Sequence, residues 1–271
     1  MLLSIFLTTL VGNFGSPTVV NVGPLFSEYY EARLVSGGKY LRKCEHSDHC
    51  DEEISDSQTI TIQHGLIVMK SEATNKFYGK VMNKKRLNVG TLGSPNGPEF
   101  PVSLSWYEAV RFANKLSAQE GLQSCYQIEQ ENVQLVDLNC VGWRLPTEAE
   151  WEFLASQFYV PDDRVQTRKY KVCTGRQISR NREVCDFGTN VYEWVWDRAP
   201  SYKEKDPESN NHPLINPTGP RYGSNRVVKD LTHLKQISGG QYVNAFLKEH
   251  SYSMEPTDEG AGVRLVRTAV R

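Results

Sequence analysis

Arg144, Glu148 and Glu150 lie close together in GWRLPTEAEWEFLA, residues 142–155. An arginine beside two carboxylates is a set that could carry out general acid–base chemistry. The same residues also spell a helix start. Thr147 is a capping residue, and Glu150, three positions on, can return to the cap's own N–H; Pro146 precedes them. Glu148 and Glu150 fall in the first turn, where the helix dipole favours negative charge. Because capping accounts for these residues, the segment reads as frame rather than catalytic centre. Arg144 is then expected to pair with a carboxylate inside the fold.

A second chemical set is CEHSDHC, residues 44–50, with two cysteines and two histidines. Thiolate and imidazole are zinc ligands, but the spacing lacks the two separated ligand pairs of a zinc finger. A disulfide between Cys44 and Cys50 is the expected use in an exported chain. The histidines are His46, His49, His64, His212, His233 and His250, with no helical i, i+4 pair among them. Each is expected to be a surface or loop residue, although His233 and His250 could meet in space.

The chain has six cysteines: Cys44, Cys50, Cys125, Cys140, Cys173 and Cys185. Six allow fifteen pairings, and their order suggests three local ones, 44–50, 125–140 and 173–185. Each bridge would contribute about 2–3 kcal/mol, mostly by restricting the unfolded chain. MLLSIFLTTLVG at the N-terminus resembles the apolar core of a signal peptide, followed by the small residues Gly12, Gly15 and Ser16. It lacks the usual positive flank and is too short for a membrane span of about 20 residues. Residues 1–16 are therefore expected to be a signal peptide, the mature chain to have no membrane span, and the location to be secreted, periplasmic or cell envelope.

Around these residues the elements read as follows. The chain has 271 residues and a formal net charge of -1, with no long basic run, which argues against nucleic acid as a main partner. Residues 17–54 look like a loop-rich extension, and 55–268 like one domain. TITIQHGLIV, residues 59–68, alternates β-branched residues and predicts strands. ATNKFYGKVMNKK predicts a helix capped by Thr74, with Phe77, Tyr78, Val81 and Met82 on one face. SWYEAVRFANKLSAQEG predicts a longer helix, opened by a Ser105–Glu108 capping box and closed by Gly121. YEWVWD, NRVVKDL, QYVNAFL and VRLVRTAV read as short strands among long connections, including the hydrophilic stretch that begins at Ser201. The pattern predicts an α+β fold.

Several segments, in order, carry a resemblance: PVSLSWYEAVRFANKLS, GWRLPTEAEWEFLA, GTNVYEWVWD, GSNRVV and GVRLVR, with MKSEATNKFYGKVM upstream. Together they resemble the formylglycine-generating enzyme family, or sulfatase-modifying factors. The resemblance implies a C-type-lectin-like α+β fold with much irregular structure. The cysteines bracketing 125–140 and 173–185 are also similar to those of exported bacterial members. It further implies that the 142–155 segment is frame.

The family's oxidases hold copper(I) between two C-terminal cysteines, and soft thiolates suit that ion. Aligned on Gly239-Gly240, those positions fall on Asn244 and Glu249, and no cysteine follows Cys185. The resemblance thus implies a member without the copper site: a pseudoenzyme acting as a binding or structural module for a peptide, protein or glycan. The alternative is a metal-dependent oxidoreductase, of formylglycine-generating or non-haem iron type, with a site rebuilt from His233, His250, Glu249 or Asn244. The resemblance also implies a calcium site, with Asp186 and Glu193 as side-chain ligands and Thr189 and Val191 giving carbonyls. Trp194, Trp196, Tyr242 and His250 are placed by it near a possible ligand groove; the two tryptophans, alternating on a strand, fit a core role equally well.

Overall fold

The computed structural model describes residues 17–21, 24–42, 58–84, 97–158, 169–175, 183–199, 214–221, 223, 225–229, 250–252 and 261–270. Cys44, Cys50, His233, Tyr242, Asn244 and Glu249 lie outside them, and His250 is described by its backbone alone.

In chain order the elements are β1 Thr18–Val20, β2 Ala32–Val35, β3 Gly38–Arg42, β4 Gln58–Ile62, β5 Leu66–Met69, α1 Asn75–Met82, α2 Trp106–Gln119, β6 Tyr126–Glu129, β7 Asn132–Leu135, α3 Glu148–Phe158, β8 Glu193–Arg198, β9 Leu214–Ile215, β10 Arg226–Lys229, β11 His250–Tyr252 and β12 Val266–Thr268. The fold is α+β, as the sequence predicts. The segment 17–54, read as loop-rich, carries three of the strands. Their runs are too short to show a period, and β2 is fixed by its partner, pairing antiparallel with β5.

Among the described residues, four small sheets result, ordered β1-β2-β5-β12, β11-β10-β8, β3-β4-β9 and β6-β7. In the first, Arg33 stands opposite Val68, and Val68 opposite Val266. All four residues of β5 are buried, so both faces of this sheet are covered. Alternation divides them. Ile67 and Met69 join a cluster with Phe77, Phe112, Trp106 and Trp143, whereas Leu66 and Val68 join one with Trp151, Phe153, Leu154 and Val195. The sheet therefore separates α1 and α2 from α3.

The helices begin where their caps stand. Thr74 accepts the amide N–H of Phe77, and Ser105 and Glu108 complete a reciprocal capping box. α1 stops at Met82 rather than running on through Lys85, because Asn83 takes a left-handed backbone with φ 53°. α3 buries nearly its whole circumference, which makes it a central helix rather than a surface one.

Among the described residues, two disulfides fix the loops. Cys125–Cys140 has its Cα atoms 5.6 Å apart, and Cys173–Cys185 has them 5.0 Å apart. The polar stretch inside the first bridge folds into the β6–β7 hairpin, turning at Gln130 with φ 55°. Two such bridges fit folding in an oxidising compartment. Among the described residues, no helix is long and apolar enough to cross a membrane.

Candidate functional site

The start of α3 is the first charged centre. Thr147 Oγ1 accepts from the Glu150 N–H at 3.1 Å, and Glu150 Oε2 accepts from the Thr147 N–H at 2.9 Å. The same carboxylate takes Arg144 in a two-pronged pair, at 2.6 and 2.7 Å. His64 Nε2 stands 2.7 Å from Glu150 Oε1. Burial alone would push the Glu150 carboxyl up, but the Arg144 guanidinium and His64 outweigh it and hold it at about 2. His64 also lines a cavity of about 520 Å³, together with Gln63, Asn139, Asn216 and Thr268.

A second centre joins α3 to β10 and β3. Lys229 Nζ bridges Glu148 at 2.7 Å and Glu152 at 2.9 Å. Tyr40 donates its hydroxyl to Glu152 at 2.8 Å, and Arg42 meets the same oxygen. Asp197 Oδ2 accepts the Glu148 N–H at 2.7 Å. Burial, and then the Glu148 charge, push the Asp197 carboxyl up to about 8.

The third centre contains the residues expected to bind calcium. Asp186 follows Cys185 with a left-handed backbone, φ 57°, and its Oδ2 accepts the N–H of Cys173. Thr189 donates its N–H to the Asp186 carbonyl at 3.0 Å, and its own carbonyl accepts from Val191 at 2.8 Å. Glu193 is buried and makes contacts through both oxygens. Oε1 meets Arg264 Nε at 3.0 Å and Nη2 at 2.9 Å, while Oε2 accepts the indole N–H of Trp151 at 2.8 Å. A guanidinium therefore already meets part of the charge expected to hold calcium. Within that set, Asp186 Oδ1 is a buried oxygen with no hydrogen-bond partner.

Of the residues expected at a groove, Trp194 lies in the core at 2% exposure and donates its indole N–H to the Leu104 carbonyl at 2.7 Å. Trp196 is half-buried and stacks on Tyr126, with centroids 5.3 Å apart. The Arg226 guanidinium lies over Trp106 and Trp196, at 3.8 and 4.7 Å from their centroids. Burial, and then repulsion from Arg198, bring Arg226 down to about 9.

Sequence reasoning missed Glu72, Lys229, Asp197 and the role of Arg264. Glu72 stands two places before the α1 cap, where an acid is unremarkable. Arg264 reaches its carboxylate across 71 residues, so no local spacing reveals the pair.

These features define an α+β protein whose buried ion pairs tie small sheets around a central capped helix. Residues 25–182 match the sulfatase-modifying factor enzyme 1-like domain. The match covers more than half of the chain, and the chain belongs to that family. A relative described as chaperone protein LppX, from Paenibacillus barcinonensis, is 28% identical over 215 aligned residues, 60% of this chain and 70% of that protein. Among solved structures, Treponema denticola variable protein 1 is similar with a TM-score of 0.66 at 20% identity, covering 94% of this chain and 100% of that one. PvdO from Pseudomonas aeruginosa aligns with a TM-score of 0.60 at 13% identity, again covering 94% and 100%. At these identities the two structures show the shared fold.

Proposed function

We propose that this chain is an exported, non-oxidising member of its family that acts as a binding module for a peptide or protein. The observation that carries this reading is the fate of its cysteines. Cys125, Cys140, Cys173 and Cys185 are joined in two bridges, and the chain from 186 to 271 contains no cysteine. A copper(I) centre of the family's kind needs a pair of soft thiolates, and Asn244 and Glu249 are hard donors.

The described charged groups favour the same reading. Arg144, Glu150, Glu152, Lys229, Glu193 and Arg264 are committed to buried pairs within the fold. A relative named as a chaperone favours a polypeptide over a glycan as the ligand, and the disulfides favour a secreted or envelope location.

The test uses the full oxidised protein with copper(I), oxygen and a cysteine-containing peptide. The expected result is reversible binding of unfolded secreted polypeptides, read by fluorescence anisotropy, with no aldehyde trapped by a hydrazide probe. Aldehyde formation at the cysteine would overturn the non-oxidising reading. Failure to bind any polypeptide in a panel of unfolded secreted proteins would overturn the binding role.

A further inference from the structure

His64 connects the buried start of α3 to a cavity. Its Nε2 stands 2.7 Å from Glu150 Oε1, and Arg144 holds both oxygens of the same carboxylate. A carboxylate paired with a guanidinium is ionised and only accepts, so the proton lies on His64 Nε2. In the neutral ring this leaves Nδ1 as a bare acceptor. Among the described residues Nδ1 has no hydrogen-bond partner, and it is not one of the buried atoms that lack one. It is therefore accessible, on a side chain that forms part of the cavity wall.

The cavity's volume of about 520 Å³ falls within the roughly 300–1,000 Å³ usual for ligand pockets. Among the described residues that line it, none is Asp, Glu, Lys or Arg. A charged ligand would lose its hydration there without meeting a counter-charge. Part of the polar wall is already used by the fold. Thr268 Oγ1 donates to the Leu138 carbonyl and accepts from Arg144 at 3.2 Å. Asn216 Oδ1 accepts the Gln63 N–H at 2.8 Å, and its Nδ2 donates to Gln63 Oε1 at 3.3 Å. Asn139 turns its amide nitrogen to Asp137. What remains for a ligand is two acceptors, His64 Nδ1 and Asn139 Oδ1, and one donor, Gln63 Nε2.

The cavity lies at the end of an exposed sheet face. Gln63 and Asn216 directly follow β4 and β9. Leu41 stands opposite Thr59 and Ile215 opposite Thr61, so the four share one side of the sheet, with Lys39 beside them. Leu41 and Ile215 are 54% and 55% exposed, and Gln63 continues the same alternation.

We propose that this cavity seats one carboxamide of an uncharged polypeptide segment, with the flanking chain lying along the Leu41–Ile215 face. A primary carboxamide has two N–H groups and one carbonyl, the complement of the two acceptors and one donor left in the wall. A sugar is disfavoured because the described lining holds no large aromatic ring for it to pack on beyond His64 itself. The inference rests on the polypeptide-binding role proposed above and gives that role a site.

The probe is a fluorescent hexapeptide of glycine, valine and asparagine, acetylated and amidated, titrated into the full oxidised protein. Saturable binding is expected. Aspartate in place of its asparagine should weaken binding roughly tenfold or more, through the lost donors and the unmatched charge. His64→Gln keeps an N–H for Glu150 and removes the ring acceptor, and Val141→Trp fills the cavity from its wall. Both variants should fold, by circular dichroism, and lose roughly tenfold or more of the hexapeptide affinity. In the wild type, nitrogen NMR should show His64 Nδ1 unprotonated and shifting as the hexapeptide is added.

Unfolded secreted proteins that bind wild type and both variants equally would leave the binding role standing and overturn this site. Absence of any polypeptide binding would overturn both. Binding of maltose at the cavity, with none of the hexapeptide, would overturn the carboxamide assignment. A protonated Nδ1, or one that does not move with the hexapeptide, would overturn it even where a variant fails to fold.

Discussion

Arg144 and Glu150 meet through two parallel contacts, Nη1 to Oε2 at 2.6 Å and Nη2 to Oε1 at 2.7 Å, with neither side chain more than 1% exposed. The pair does more than cancel charge. Arg144 also exchanges backbone hydrogen bonds with Val266, at 2.8 and 2.9 Å, and donates to Thr268 Oγ1 at 3.2 Å. It thereby ties β12, the last strand of the four-stranded sheet, to the start of α3.

Removing one partner of a buried pair strands the other charge in a dry site. Arg144→Met is therefore expected to cost about 3–5 kcal/mol in urea unfolding. The double variant Arg144→Met/Glu150→Leu should recover much of that loss, retaining a deficit of about 1 kcal/mol for the missing cap. A single-variant cost below about 1 kcal/mol would show that the pair does not hold the strand to the helix.

Asp197 makes stability depend on pH. Its carboxyl is raised from 3.8 to about 8 by burial and then by Glu148, so the folded state keeps a proton that the unfolded state releases. The stability contributed by this proton is full below the unfolded value and is lost as pH rises through the folded one. Wild-type stability should therefore fall between about pH 4 and about pH 8 through this group, and level off above. Asp197→Asn keeps an acceptor for the Glu148 N–H and should flatten that part of the curve. Superimposable wild-type and variant profiles across the window would contradict the assignment.

Gly142 opens the stretch that includes the α3 cap, and its environment admits no side chain. A Cβ there would come within 1.9 Å of the Gln123 carbonyl oxygen and 3.0 Å of Ser117 Oγ. That hydroxyl is already committed, accepting the Trp143 N–H at 2.7 Å. Gly142→Ala must push backbone apart, so a loss of about 1–3 kcal/mol is expected in urea unfolding. An unchanged unfolding midpoint would show that the Gln123 loop yields freely.

What the sequence made legible follows from the range of each interaction. Thr74, Ser105 and Thr147 act within three residues of themselves, so their caps could be read directly and the helix starts are where they indicate. Trp194 and Trp196 alternate on β8, and the structure assigns one to the core and the other a half-buried stack. The strands β1 to β3 were hidden because their runs are too short to show a period, and β2 takes its place from a distant partner, as Ala32 opposite Met69 shows. The third charged centre was hidden for the same reason. Asp186 and Glu193 were visible as candidate ligands, but Arg264, which pairs with Glu193, and Glu72, 3.8 Å from that guanidinium, arrive from distant parts of the chain.

The Cys173–Cys185 bridge couples that centre to redox state. It closes a span of 12 residues, and a loop of that length is worth about 2–3 kcal/mol. Its two ends are not passive. Cys173 donates its N–H to Asp186, and Cys185 donates its N–H to the Lys70 carbonyl at 2.7 Å while its own carbonyl accepts from Arg264 Nη2 at 2.9 Å. Replacing both cysteines by alanine should therefore loosen a local region before the rest of the fold. In hydrogen exchange, the amides at positions 173, 185 and 189 should lose protection, while those of α2 keep theirs. The Cys125–Cys140 bridge gives the contrast. Its loop contains the β6–β7 ladder and a Val136 N–H to Cys125 carbonyl bond at 2.9 Å, so the hairpin amides should stay protected when that bridge is removed. If losing Cys173–Cys185 lowers protection equally across α2 and the 183–193 segment, the bridge acts only on global stability and does not position Asp186.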